Sequence, residues 1–260
     1  MKIIRSSFLH FLNDPGKVED SSTAYQYIDD GLMVIDKGKI KLLKTFTTAD
    51  LTLYHPIEDK RGKLILPGFI DTHIHYPQTQ MIASYSEQLL QWLKTYTYPT
   101  EKQFSDNKHA RYISRFFINE LLKNGTTSAL VFATKHPQSV DALFTEAAKK
   151  KMRIIAGKVM MDRNAPEYLL DTPQSGYQES ERLIKKWHNT GRLQYAITLR
   201  FAPTSSREQL RLAGKLKALY PDTYFHTHLS ENKNEIAWVK KLFPERKGYF
   251  DIYEHYGLAG

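Results

Sequence analysis

The chain has 260 residues, 41% of them hydrophobic, enough for one large domain or two modest ones with a core. It contains no cysteine, which excludes disulfides and thiolate metal ligands and leaves His, Asp and Glu to hold any metal. The formal charge of +9 raises the question of an anionic partner, yet the basic residues are scattered as solvated helix ends (Lys149 to Lys151, Lys185 with Lys186, Lys240 with Lys241), and no aromatic-basic stripe marks a nucleic-acid reader.

No apolar run reaches the roughly 18 residues of a membrane span, and the first residues lack the apolar stretch of a signal peptide. A cytoplasmic protein without membrane or nucleic-acid partners is expected. Residues 1–66 read as short strands and turns. Within them, residues 33–43 hold two apolar runs about Lys37 and Gly38, a hairpin pattern, and 49–53 is the one stretch with helical character.

From residue 64 the pattern becomes strand alternating with amphipathic helix. Strands are expected at 64–75, 128–133, 153–161, 193–201 and 223–228. Asp106 caps a helix carrying Ile113, Phe116, Phe117 and Leu121 on one face, with Gly125 closing it. Ser139 starts a helix over 140–152, and residues 180–189 form another, stopped by Gly191. Ser206 and Gln209 form a capping box for a helix that runs to Tyr220 and ends at Pro221, and 232–242 reads as a last helix. Repeated β-α units predict a parallel sheet with right-handed crossovers. Polar residues at the strand C-terminal ends suggest an α/β fold of the (β/α)8 TIM-barrel type, incomplete because about five of the eight strands are legible. The domain expectation is therefore residues 1–66 as strands of a small N-terminal β-sandwich and 67–260 as the first part of the barrel.

Two His-x-His pairs stand at the ends of separate strands, His73 with His75 and His226 with His228. Residues i and i+2 of a strand share a face, so each pair can aim two imidazoles at one point. His73, His75 and one of His226 or His228 supply three neutral donors, leaving a position open for a water that loses a proton near neutral pH. Isolated histidines such as His10, His55, His109, His188 and His255 read as structural. Glu231, just past the strand end, is placed to move a proton between water and a leaving nitrogen; the alternative is a first-turn acid of the following helix. Asp71 shares the face of His73 but points deeper, a structural position.

Residues 67–75 resemble the first-strand signature of the amidohydrolase superfamily. Segments 73–78, 89–101, 124–127, 157–162, 200–201 and 226–232 are similar to the guanine deaminase family in particular, and 162–171 and 202–206 to its bacterial branch. The resemblance implies one zinc ion per subunit on His73, His75 and His228, with Fe2+ the other ion that imidazoles accept. It implies Glu231 as the catalytic proton shuttle, also touching substrate with His75. Gln78 and Arg200 would hydrogen-bond the purine, Phe201 would pack at the base, and Trp92 and Leu93 would belong to a loop over the pocket. For Trp92 a core position, and for Arg200 an ion pair, are the structural alternatives.

The implied reaction is hydrolytic deamination of guanine to xanthine and ammonia, in a full-length form expected to be a homodimer. Family members are longer, adding a further histidine and an aspartate from later strands, so the chain is expected to be an N-terminal portion. Asp251 and His255 do not stand in the matching context. The rival readings are another aminohydrolase or chlorohydrolase of the superfamily, or a non-catalytic fragment lacking the later ligands.

Overall fold

The structure, a computed structural model, describes residues 1–85 and 88–259; the end of the expected barrel segment at Gly260 lies outside them. The chain forms two compact units, Met1–Gly68 and Phe69–Gly260.

The first unit is a sheet of β1 (Lys2–Phe11), β2 (Tyr25–Asp36), β3 (Lys39–Thr45) and β4 (Ile57–Ile65), in the order β3-β2-β1-β4, with a short helix α1 (Asp50–Leu53) before β4. β1 runs antiparallel to β2 and parallel to β4. The β2–β3 hairpin turns where the sequence indicates, with Lys37 and Gly38 both at positive φ, 48° and 75°. That backbone twist matches the twist of the strands it joins. Both sheet faces carry apolar residues: Ile4, Phe8, Ile28 and Met33 cluster together, and Ile3, Leu32 and Val34 form another group.

The second unit is a parallel sheet in the order β10-β9-β7-β6-β5, with β8 pairing to β9. The strands are β5 (Phe69–His75), β6 (Thr126–Phe132), β7 (Arg153–Gly157), β8 (Val159–Met160), β9 (Leu193–Leu199) and β10 (Tyr224–His226). The helices are α2 (Leu89–Trp92), α3 (Tyr98–Lys102), α4 (Asn107–Lys123), α5 (Pro137–Lys150), α6 (Pro173–Trp187), α7 (Arg207–Leu219), α8 (Lys233–Leu242) and α9 (Tyr249–His255). α4, α5, α6 and α7 supply crossovers between parallel neighbours, the architecture of a partial (β/α)8 barrel. Its core joins strand residues such as Ile154 and Ile197 to helix residues such as Leu143, Phe144 and Leu210. Each fully buried side chain of this kind contributes about 1.5–3 kcal/mol.

Several boundaries differ from the sequence pattern. The expected strand 64–75 is two strands, because Pro67 lacks a ladder donor and Gly68 favours a break, so β4 and β5 fall in different units. The expected strand 153–161 is interrupted at Lys158, which is wholly buried and ion-paired with Asp171 and Glu179. β9 stops at Leu199 and β10 at His226, so Arg200, Phe201 and His228 lie just beyond strand ends.

Ser139 lies inside α5, which starts at Pro137, where a residue without an N–H suits the first turn. α6 begins at Pro173, ahead of the expected start at 180, under a capping box of Thr172 and Ser175. The Ser206–Gln209 box is one-sided. Ser206 accepts from the Gln209 N–H, but both polar atoms of the Gln209 side chain are buried without a partner among the described residues. Asp106 caps α4 as expected, whereas Phe116 is 47% exposed, off the buried face of Ile113, Phe117 and Leu121. Gly157 has no alternative: a Cβ there would lie 1.7 Å from the Ala196 carbonyl of the neighbouring strand.

Candidate functional site

The end of β5 carries His73 and His75, whose rings lie 5.2 Å apart. The backbone N–H of His73 donates to Asp71 Oδ1 at 3.0 Å. His75 stacks on Phe132 at the end of β6, with centroids 4.6 Å apart and planes 7° from parallel. Phe132 is fully buried and also contacts His73, His226 and His228 at 5.3, 4.0 and 4.4 Å. It is an apolar floor beneath four imidazoles.

Two residues past β10, His228 turns its Nδ1 to the backbone carbonyl of Arg200 at 2.8 Å. A carbonyl only accepts, so Nδ1 carries the proton and Nε2 keeps its lone pair. That Nε2 is 3.1 Å from His75 Nε2, and one ring nitrogen from each of His73, His75 and His228 lies within 4.8 Å of the others. His226 is deeper and buried, with Nε2 3.4 Å from His73 Nδ1.

Burial, aided by the nearby Arg200 charge, holds the His75 pKa well below its ordinary value and that of His228 down to about 3. Burial does the same for His226, also to about 3. Neutral imidazoles are the form that binds metal. A tetrahedral ion with bonds of about 2.0–2.1 Å separates its nitrogens by about 3.3–3.4 Å. The 3.1 Å between the Nε2 atoms of His75 and His228 is close to that. The donor set fits a divalent cation.

One cavity of about 240 Å³ is lined by His73, His75, Gln78, Leu89, Trp92, Leu93, Arg200, Phe201, His228 and Glu231. The residues that the resemblance implies for the site meet there, whereas His226, the other candidate donor, does not line it. A second cavity, about 680 Å³, adjoins His73, His75, Gln78 and Trp92 on the side of Met81, Phe116 and Leu121. Gln78 lies on a 3-10 turn, Tyr76–Met81, directly after β5.

The segment expected as a loop is helical: α2 ends at Trp92 and continues into a π-turn, Leu93–Thr97. Trp92 is half-buried and its Nε1 donates to the Ser84 carbonyl at 3.0 Å. Phe201 is buried and meets Trp238 of α8 edge-on at 6.2 Å.

Arg200 lines the cavity and is ion-paired as well, Nη1 donating to Glu101 Oε1 at 2.5 Å. Glu101 and Phe132 are the residues that sequence reasoning passed over. Glu101 sits inside the segment 89–101 that carries the resemblance, and Phe132 is an aromatic at a strand end.

Glu231 is exposed at the cavity rim and does not cap α8. Asn232 is the cap, and Glu235 Oε2 accepts from the backbone N–H groups of Glu231 and Asn232 at 3.0 and 3.1 Å. The Glu231 carboxylate is thereby left to the cavity. Desolvation and the neighbouring Glu235 raise its pKa, against the pull of Arg200.

Three imidazoles at or just past the strand ends of a parallel α/β sheet define a metal-dependent hydrolase frame. A model of the Amidohydrolase family matches residues 64–260, and the chain belongs to that family. The family is metal-dependent, and the histidine cluster supplies the donors such an ion needs.

Guanine deaminase of Escherichia coli (strain K12) is 55% identical over the whole chain. A solved structure of E. coli guanine deaminase superposes with a TM-score of 0.97 at 54% identity, covering 100% of this chain and 61% of that one. Guanine deaminase from C. acetobutylicum, solved with guanine bound in its active site, superposes at 0.89 with 32% identity, covering 99% of this chain and 59% of that one. The chain spans about 60% of the length of the curated relatives it matches.

Proposed function

We propose that the protein is a guanine deaminase, converting guanine and water to xanthine and ammonia with one zinc ion per subunit. The observation that carries this reading is the meeting of His73, His75 and His228 with Gln78, Arg200, Phe201 and Glu231 around one cavity. The 55% identity to the E. coli enzyme, and the guanine-bound relative of the same fold, support the substrate.

His73, His75 and His228 would hold the zinc, which when bound supplies Lewis acidity and a water acidic enough to ionise near pH 7. Phe201 offers an aromatic surface to the flat purine, and Trp92 with Leu93 closes the cavity over it. The Gln78 amide can donate and accept along the amide edge of the base, and the Arg200 guanidinium donates to the C6 carbonyl. Oxygen from water adds at C2, and Glu231 carries one water proton to ring nitrogen N3. Glu231 then takes the proton of the C2 hydroxyl and gives it to the exocyclic nitrogen, the C2–N bond breaks, ammonia leaves and the C2 carbonyl of xanthine forms. The Glu231 pKa is raised by burial and by Glu235, the direction that favours a group that both takes and gives a proton. Arg200 stabilises the charge that develops on the purine.

We assign residues 1–66 to one part of a composite β-sandwich and infer a cytoplasmic homodimer. Among the described residues no helix is long and apolar enough to cross a membrane, and two-fold dimers are the commonest assembly.

The test is ammonia release from guanine by zinc-loaded protein expressed from its complete reading frame, with and without Glu231→Gln. Loss of about 10²–10⁴-fold in kcat supports the proton shuttle. Undiminished turnover removes Glu231 from the mechanism, and absence of ammonia from the unmodified protein removes the reaction.

A further inference from the structure

Glu101 lies on α3, fully buried, 99 residues away in sequence from the guanidinium it holds. Its Oε1 accepts from Arg200 Nη1 at 2.5 Å, while Oε2 is buried with no partner among the described residues. Tyr98, on the same helix, places its ring 5.9 Å from the guanidinium carbon. Arg200 itself is only 3% exposed, yet it lines the cavity between the histidines and Phe201.

A buried arginine without a counter-charge is strongly disfavoured, so the carboxylate makes this position tenable. It also does something geometric. The guanidinium is a rigid planar fork, and fixing one nitrogen fixes the directions of the remaining N–H bonds. The backbone of Arg200 is fixed independently, since its carbonyl accepts from His228 and its N–H donates to the Met160 carbonyl at 3.3 Å. The side chain is thus held at both ends.

We propose that Glu101 is a positioning residue for purine recognition: it holds the Arg200 guanidinium so that its free donors face the C6 carbonyl. This rests on the guanine reading above. Glu101 does not touch the substrate; it acts through Arg200.

The experiment compares guanine with 2-aminopurine, which keeps the amino group at C2 and has hydrogen where guanine has the carbonyl. In zinc-loaded protein from the complete reading frame, Glu101→Gln lowers the guanine to 2-aminopurine ratio of kcat/KM by about tenfold or more. The value for 2-aminopurine itself stays within about twofold. In an Arg200→Met background the same substitution leaves the ratio unchanged.

A loss shared equally by both purines, or an effect undiminished by Arg200→Met, overturns the proposal and leaves guanine turnover by the unmodified protein standing. No ammonia from guanine with the unmodified protein overturns the functional reading and this inference with it. Should Glu101→Gln fail to fold, Glu101→Asp, which keeps the charge but is one methylene shorter, is measured in the same way and the ratio decides. Failure of both variants to fold assigns the carboxylate to the fold alone and overturns the proposal.

Discussion

Nδ1 of His228 donates to the backbone carbonyl of Arg200 at 2.8 Å, so one residue serves the site at two points. Its main chain fixes the tautomer and ring orientation of a candidate metal ligand, while its side chain faces the cavity.

That division yields a clean expectation for Arg200→Met. The carbonyl survives the substitution, so zinc content by plasma mass spectrometry stays at the unmodified level. The charged donor is gone, and kcat/KM for guanine falls about 10–100-fold. Loss of zinc in this variant would contradict the separation of the two roles.

His75→Ala removes one of the three donors that lie within 4.8 Å of one another. The purified variant is expected to carry substoichiometric zinc and to lose ammonia release from guanine, with its circular dichroism spectrum unchanged. Full zinc occupancy would exclude His75 as a ligand.

Phe132→Ala takes away the floor beneath four imidazoles and opens a cavity in a wholly buried place. The expected cost is about 3–5 kcal/mol, read from urea unfolding of the metal-free protein. A cost near zero would mean that the rings are held by their own hydrogen bonds alone.

His136, just ahead of α5, provides a pH dependence separate from the metal site. Burial, with Lys135 and Lys158 nearby, lowers its pKa from 6.5 to about 4. The folded pKa lies below the unfolded one, so the neutral ring's contribution is fully present above about pH 6.5 and is lost as pH falls towards about 4. By pH 5 the loss amounts to about 1 kcal/mol, once solvent screening of the half-buried ring is allowed for. His136→Asn should flatten that part of the stability profile between pH 6.5 and 4, and an unchanged profile would show that the imidazole titrates normally.

His73 and His75 were legible because strand periodicity is two and sets both imidazoles of β5 on one face; His226 and His228 carry the same spacing, although β10 ends at His226 and His228 lies beyond it. The β-α alternation was legible for a related reason, from the apolar spacing of 128–133 and 193–201. α5 and α6 begin at Pro137 and Pro173, ahead of the expected 140 and 180, because a residue without an N–H suits a helix's first turn. The interruption at Lys158 was hidden because a lysine inside a core depends on carboxylates contributed by distant segments. Glu101 was hidden likewise: nothing local distinguishes it from a solvated helix acid, and its meaning arises only when folding brings Arg200 alongside.

Glu235 is occupied on both oxygens, since Tyr249 of α9 donates to Oε1 at 2.6 Å while Oε2 takes two backbone amides. The stance of Glu231 is therefore inherited from a hydroxyl on another helix. The hydroxyl of Tyr249 and the backbone amide of Glu231 are thus joined through one carboxylate, which ties α9 to the cavity rim.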